Sequence, residues 1–376
     1  MNPMTTEING TLRRTALYDA HLALGARIVP FGGFEMPVQY AGILKEHEAV
    51  RKRAGLFDLS HMAQFDLRGG DVGTWAESLT VNKVANMKPG QARYNIFTNE
   101  HGGAHDDVIF YRLDENRWLL VVNAGNADKM WAHVSGNLAG DVKATNLHGE
   151  RALIAIQGPR SVEWLQPYVE AELAPMKYYA CAETRVKGSR EPIVIARTGY
   201  TGEDGFEIFL PSDDATGVWD LLLAENRERG LEACGLGARD VLRLEAGMPL
   251  YGHEMTEEIT PLQAGMGWAI KFDKPAFRGR DALLAQRDAD EYARIVGVSM
   301  EGRVPARAGY SVLAGGTRVG EIRSGSFGPA VGKNIATALV EPSAAADGTA
   351  LEVEVRGARH PGVVVPVQFY KRPKPA

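Results

Sequence analysis

The sequence predicts an α+β protein of two or three domains whose C-terminal end is an all-β unit. Three observations carry that expectation. Helical and strand periodicities alternate without a repeating βαβ rhythm, so no doubly wound parallel sheet is expected. Residues 91–126 hold three strand-like runs, ARYNIFT, DVIFYRL and RWLLVVN, separated by the turn-forming NEHGGAHD and DEN, which predicts an antiparallel meander. From about residue 293 the chain becomes short apolar runs cut by Gly, Pro and Asn (ARIVGVSM, NIATALVE, ALEVEVRG, GVVVPVQFY). That spacing marks a small sandwich or barrel.

Composition narrows the function classes. The 376 residues are 45% hydrophobic and 24% charged, with a formal net charge of −5. A mildly acidic, mixed surface argues against non-specific nucleic-acid binding, which needs a basic stripe to displace counterions. It leaves room for a local basic patch facing an anionic ligand. The 42 glycines are scattered between apolar runs and read as many tight turns. Two cysteines, Cys181 and Cys234, exclude a disulfide framework or a Cys-based metal site, and two structural thiols in a reducing compartment are the favoured reading. No stretch approaches 18 apolar residues, so no membrane span is expected. The N-terminus, MNPMTTEINGTLRRTALYDAH, has no apolar signal core, and a cytoplasmic protein is expected.

Taken in order, residues 41–54 place Ile43, His47, Val50 and Ala54 at helical spacing. A strand follows at 63–68 and a helix at 71–80. In the meander, strand alternation puts Asp107, Ile109 and Tyr111 on one face and Val108 and Phe110 on the other. An acid in line with a tyrosine there is either a ligand site or a solvated strand-edge pair. Residues 127–139 read as a helix and 152–157 as a buried strand, followed by a helix near 159–168 and strands near 183–187 and 192–197. The turn TGYTGEDG leads into FEIFL, where Phe206 and Ile208 oppose Glu207 and Phe209. Helices are expected at 213–229 and 238–247, and a domain boundary near 275–292.

Common catalytic signatures are absent: no phosphate loop, no zinc helix, no nucleophile elbow. GLGARD at 235–240 lacks the third glycine of a dinucleotide fingerprint. The nine histidines include no metal pair; His101 and His105 flank a Gly-Gly turn and read as surface loop. What remains is carboxylates, tyrosines, asparagines and arginines beside glycine turns. Such a set suits a flat polar heterocycle with an anionic tail: a carboxylate takes two parallel hydrogen bonds from an amino-amidine edge, tyrosines stack, and arginines clamp tail carboxylates.

The strings PFGGFEMPVQY, GLFDLSHM, RYNIFTNEHGGAHDDVIFY, VVNAGN, RTGYTGEDGFEIF, CGLGARDVLRLEAGMPLYGHEM, TPLQAGMGWAIKFDK, RSGSFGP and FYKRP occur in this order over nearly the whole chain. Together they closely resemble the T-protein family of the glycine cleavage system, the tetrahydrofolate-dependent aminomethyltransferases. The resemblance implies a clover-like α+β fold of three domains around a central folate channel: two mixed α+β domains with antiparallel sheets and a C-terminal all-β jelly-roll or barrel. It implies residues 1–55 with 146–280 as a discontinuous folate-binding domain, 56–145 as a second domain holding the meander, and 290–376 as the β domain. It also implies the reaction. A lipoylated partner, the H-protein, brings an aminomethyl group on its dihydrolipoyl arm, and the one-carbon unit passes to tetrahydrofolate, giving 5,10-methylenetetrahydrofolate, ammonia and the reduced arm. No metal, nucleic-acid or membrane partner is implied, and a monomer is expected.

Carried over residue by residue, the acid beside the reacting folate nitrogens falls on Asp107, in a positioning and electrostatic role rather than as a full proton shuttle. Glu207 falls on the pterin-anchoring glutamate. Tyr94, Ile109, Tyr111 and Asn123 match residues lining the pterin and p-aminobenzoyl part, and Tyr200 and Met62 match further pocket positions. Arg239 and Arg372 match basic residues near the folate and the arriving arm, Arg239 being equally compatible with a structural role; Tyr251 is a weaker match. One departure stands out. Where many relatives carry Ile-Leu or similar before the acid pair, this chain has Ala104-His105. A solvated turn histidine is the favoured reading of His105. Two rivals remain: a folate transferase for methylated amines or sulfonium compounds, and a non-catalytic folate-binding factor. The latter's K-G-C-[FY]-x-G-[QE] motif is absent, since Cys181 is followed by Ala-Glu and Cys234 by Gly-Leu.

Overall fold

The computed structural model describes residues 11–373. Residues 1–10 and 374–376 lie outside the described residues, and with them half of the N-terminal stretch read above for a signal core and the outer ends of the first and last expected domains.

Helix α1 (Tyr18–Ala23) leads into a hairpin of β1 (Arg27–Phe31) and β2 (Phe34–Gln39). The hairpin turns at Gly32 and Gly33, with φ of 54° and 85°, a left-handed pair that glycine adopts without a Cβ clash. Then come α2 (Ile43–Lys52), β3 (Gly55–Asp58), β4 (Ala63–Arg68), α3 (Val72–Leu79), β5 (Gln91–Thr98), β6 (Ala104–Arg112), β7 (Arg117–Val122), α4 (Ala127–Gly136) and β8 (Lys143–Asn146). After them run β9 (Arg151–Gln157), α5 (Ser161–Leu165), β10 (Cys181–Thr184), β11 (Ile193–Ala196), β12 (Gly205–Pro211), α6 (Ser212–Asn226), β13 (Glu232–Ala233), α7 (Leu236–Glu245) and α8 (Arg280–Ala289). The last elements are all strands: β14 (Arg294–Met300), β15 (Ser311–Ala314), β16 (Thr317–Gly328), β17 (Lys333–Val340), β18 (Ala350–Val355) and β19 (Ala358–Val365).

The expected meander is present within a five-stranded sheet of order β5-β6-β7-β4-β8. A six-stranded sheet, β10-β11-β12-β9-β3-β13, is antiparallel except for the β13–β3 pair. The open choice between sandwich and barrel resolves to a closed six-stranded barrel, β14-β17-β16-β15-β18-β19. Closure follows because β14 pairs with β17 along one edge and with β19 along the other, and a register shift between Ile322 and Ser324 bends β16. Several element edges differ from expectation by two to five residues, β10 and α6 among them. β10 covers 181–184 rather than 183–187, because its partner β11 begins at Ile193, opposite Thr184, and the chain turns at Gly188. α6 stops at Asn226, whose side chain caps Leu222 O while Leu231 N bonds back to Asn226 O.

The chain divides into two compact units: residues up to 77 with 84–94 and 108–239, and residues 78–83 with 95–107 and 240 onward. In the first, the even positions of β9 and β12 (Ala152, Ile154, Ile156, Phe206, Ile208, Leu210) join Ile193 and Ile195 against Trp164 of α5 and Trp219 and Leu222 of α6. Glu207 and Phe209 therefore point away from the helix-covered core. In the second, the barrel closes around Val298, Ile322, Ala336, Val353 and Val364.

Candidate active site

On β12, Glu207 has Ala196 of β11 and Ala155 of β9 as its cross-strand neighbours. Two methyl side chains beside a carboxylate leave space over that face of the sheet. The carboxylate is 7% exposed and its environment is built for a charge: Tyr111 donates its hydroxyl to Oε2 at 3.1 Å, and Thr198 donates to the same oxygen. Burial, with the Glu207 charge added, pushes the Tyr111 phenol well above its ordinary range, so it stays a donor. Its ring sits edge-on to Phe209 at 5.1 Å.

Thr198 and Tyr200 lie in the RTGYTGEDG loop, which wraps around buried Gln157. Gln157 Nε2 donates to Thr198 O at 3.0 Å and Thr201 Oγ1 donates to Gln157 Oε1 at 3.0 Å. A Cβ on Gly199 would lie 2.0 Å from Gln157 Oε1, so the glycine is required by close approach. Arg51 pins the same loop through Thr201 O and Glu203, and Arg197 grips Asp204 through two nitrogens. The Arg239 guanidinium lies over the Tyr200 ring, 4.8 Å from its centroid. Burial draws the Arg239 pKa down, opposed first by the Glu207 charge. Glu207, Tyr111, Thr198, Tyr200 and Arg239 are thus one connected group.

The other expected residues of this unit lie on earlier, separate segments. Met62 is half-buried after β3, its N–H bonded to Leu59 O at 2.9 Å. Ile109 shares the partly open face of β6, and Tyr94 is half-buried on β5. Asn123 follows β7, and the Ala124 after it sits where a Cβ on Gly32 would come to 2.7 Å. The FGGF hairpin thus abuts the Asn123 segment, which explains its glycine.

In the second unit, β6 begins after a turn in which Asn99 Oδ1 accepts from His101 N at 3.0 Å and Gly103 N at 2.9 Å. Strand pattern separates the acid pair: Asp106 is buried, while His105, Asp107 and Ile109 are partly exposed. The reading of His105 as a solvated turn residue needs correction. β6 starts at Ala104, whose N–H bonds to Thr256 O at 2.8 Å, so His105 is already in the strand, and its Nδ1 lies 2.8 Å from Glu257 Oε1. Arg372 is exposed beyond β19, in a tail held where Tyr370 N bonds to Glu245 O at 2.7 Å. Tyr251 is half-buried in a bridge with Met255.

Thr198, Glu257 and His61 were not anticipated. His61 is 2% exposed with no partner for Nδ1, and burial pushes its pKa down to about 4. Thr198 and His61 lie inside matching motifs but no spacing marks them, and Glu257 lies 152 residues from His105. Among the described residues no group of three or more His, Cys, Asp or Glu is set to hold a metal, and no helix is long and apolar enough to cross a membrane.

A buried carboxylate between a tyrosine and an arginine, in an α+β chain that ends in a closed barrel, defines a protein suited to binding a small polar ligand. Residues 17–274 match the GCVT N-terminal domain and residues 294–371 the glycine cleavage T-protein C-terminal barrel domain. The aminomethyltransferase of Deinococcus deserti is 47% identical over 98% of this chain and 100% of its own, and that of Symbiobacterium thermophilum is 44% identical over 97% and 99%. The crystal structure of glycine cleavage system aminomethyltransferase T from Bartonella henselae superposes with a TM-score of 0.90 at 34% identity, covering 96% of this chain and 99% of that one. The chain belongs to the glycine cleavage T-protein family of aminomethyltransferases.

Proposed function

We propose that this aminomethyltransferase moves the one-carbon unit from S-aminomethyl-dihydrolipoyl H-protein to tetrahydrofolate, giving 5,10-methylenetetrahydrofolate, ammonia and dihydrolipoyl H-protein. Full-length kinship to aminomethyltransferases supports the reaction. The observation that carries the site is the Glu207 carboxylate, set among alanines and hydrogen-bonded by Tyr111 and Thr198 with Arg239 facing it. An acceptor-only group in that setting suits the adjacent N–H and amino donors of a pterin edge. In this reading Tyr200 and Tyr94 supply faces, Met62, Ile109 and Asn123 line the ligand, and Arg372 lies toward the tail or the arriving arm. The partition into residues 1–55 with 146–280, 56–145 and 290–376 belongs to the same proposal; the six-stranded sheet, the five-stranded sheet and the barrel follow it in the main, while β3 crosses the 55/56 border to pair with β9. A monomer in a cytoplasmic setting is part of it, the reducing environment being supported by the free, buried thiols of Cys181 and Cys234.

Asp107 has an electrostatic role. When a folate nitrogen attacks the aminomethyl carbon, positive charge develops, and a fixed carboxylate stabilises it. The test is a reconstituted assay with aminomethylated H-protein and tetrahydrofolate. Wild type is expected to form 5,10-methylenetetrahydrofolate, and Asp107→Ala to lose at least about a hundredfold in kcat, the scale of one preorganised electrostatic group. Full activity in Asp107→Ala refutes the assigned role, and turnover with a free methyl donor but not with H-protein overturns the substrate.

A further inference from the structure

We propose that the cleft between the Arg68 end of β4 and the start of β9 is a second ligand site, one that takes a small zwitterion, a free α-amino acid. The inference does not rest on the transfer reaction. A cavity of about 480 Å³ opens there, lined by Asp66 and Arg68 of β4, Arg117 of β7 and Arg151 of β9, with Glu150 and Glu191 exposed at its rim. That volume lies within the ordinary range for a small-molecule pocket. Strand register explains how three guanidiniums converge. Arg68 and Arg117 are cross-strand partners and Asp66 stands two residues before Arg68, so all three side chains leave the same face of their sheet. Arg151 is the first residue of β9, opposite Pro211 of β12, on the face of its sheet that also carries Glu207.

The charges are arranged for a dipolar ligand. Two arginines directly opposite each other repel, and the buried Asp66 answers both: Arg68 Nε donates to its Oδ2 at 2.6 Å and Arg117 Nε to its Oδ1 at 3.0 Å. Both of its oxygens are thereby engaged. Arg117 commits a further nitrogen to Glu183 Oε1 at 2.6 Å. Arg151 has no carboxylate at hydrogen-bond distance; its one side-chain bond among the described residues runs from Nη2 to Phe209 O at 3.0 Å. Burial lowers its pKa and the Arg117 charge lowers it further, against the charges of Glu191, Asp66 and Glu183. A half-buried guanidinium beside a second one, with nitrogens left over, is a setting that takes up a carboxylate through two parallel N–H···O bonds. Glu150 and Glu191 carry the opposite sign at the edge, so a simple anion is repelled there while an ammonium next to the carboxylate is attracted. Phe209, buried and edge-on to Tyr111, separates this cleft from Glu207, which lies about 13 Å back along β12.

The experiment is titration calorimetry of the full chain with the common α-amino acids one at a time, glycine and arginine included, and with acetate, methylamine and inorganic phosphate as controls of one sign only. At least one amino acid is expected to bind with a Kd below about 1 mM, and acetate, methylamine and phosphate at least about tenfold more weakly. Arg151→Gln is expected to raise that Kd by about tenfold to a hundredfold, the effect of losing a charge-assisted pair. Arg151→Lys, which keeps the charge and loses the planar fork, gives the same reading should the glutamine variant not fold. Glu150→Gln with Glu191→Gln, a double change at exposed positions, is expected to raise it severalfold, and Glu207→Ala to leave it unchanged. Binding by none of the amino acids overturns the inference. Acetate or phosphate binding as tightly as the best of them overturns it too, leaving a site for anions alone. A Kd unaltered by the Arg151 and double variants, or raised by Glu207→Ala, puts the amino acid elsewhere on the protein and likewise overturns it.

Discussion

At Glu207 one hydroxyl from the five-stranded sheet and one from the RTGYTGEDG loop meet a single carboxylate oxygen, so the side chain is held before any ligand arrives. Removing it should weaken tetrahydrofolate binding rather than the chemical step. Loss of a charge-assisted acceptor costs about 1.5–3 kcal/mol, so Glu207→Ala should raise the folate Kd by about tenfold to a hundredfold. Fluorescence titration checks this, and an unchanged Kd removes Glu207 from the binding site. Much of this scale was legible in the chain. Strand alternation around FEIFL already put Glu207 opposite Phe206 and Ile208, because side-chain direction in a strand depends only on position. Its partners were not legible, since Thr198 and Tyr111 reach it only after two sheets are packed.

Among the elements, α7 shows how backbone contact rather than periodicity places a site residue. Its first turn follows Gly235, where a Cβ would lie 2.4 Å from the Val38 carbonyl carbon of β2, and Gly237 faces Val38 O at 3.0 Å. The CGLG glycines let the helix start touch a strand, and Arg239 one turn later is aimed by that contact. Gly235→Ala should force the helix away from β2 and cost about 1–3 kcal/mol of stability, the usual range for overpacking. The urea midpoint should fall, and a folate Kd that rises with it would show Arg239 displaced. An unaltered midpoint would mean that the close approach is not required. Element positions themselves followed from local pattern: β4 matches its expected bounds, while β10 and α6 moved where a partner strand began or an asparagine cap stopped the helix. Such stops depend on neighbours, which a window of sequence does not contain.

For the whole molecule, buried ionisable groups set how stability responds to acid. His61 is held neutral by burial, with its pKa pushed from 6.5 down to about 4. A base whose folded pKa is lowered makes the unfolded chain bind more protons, so stability falls as pH drops from about 6.5 toward 4. The shift corresponds to about 3 kcal/mol. Asp58, bonded to His21, Thr15 and the Ser60 N–H, and Glu254, paired with buried Arg243 at 3.0 Å, are both held below the ordinary carboxylate range despite the opposing effect of burial. Their contribution is present above pH of about 4 and is lost as pH falls through their lowered folded values. Urea midpoints should therefore be flat above about pH 7, decline through the His61 range and drop steeply below about pH 4. His61→Gln should shrink the first decline, leaving the part that His148, also held down by burial, contributes, and spare the second. A wild-type midpoint constant from pH 7 to 4.5 would contradict the burial of a neutral His61.

Local pattern along the chain was enough to set the α+β class, the meander and the all-β C-terminal end, because periodicity and turn glycines are properties of neighbouring residues, while the family and the candidate residues came from the resemblance carried by nine motifs in order. Packing between distant segments settled the rest. Barrel or sandwich depended on β14 meeting β19, some 65 residues on. The character of His105 depended on Glu257, 152 residues away. Both are long-range contacts, whose energies arise only once the loops between them have closed and water has been excluded.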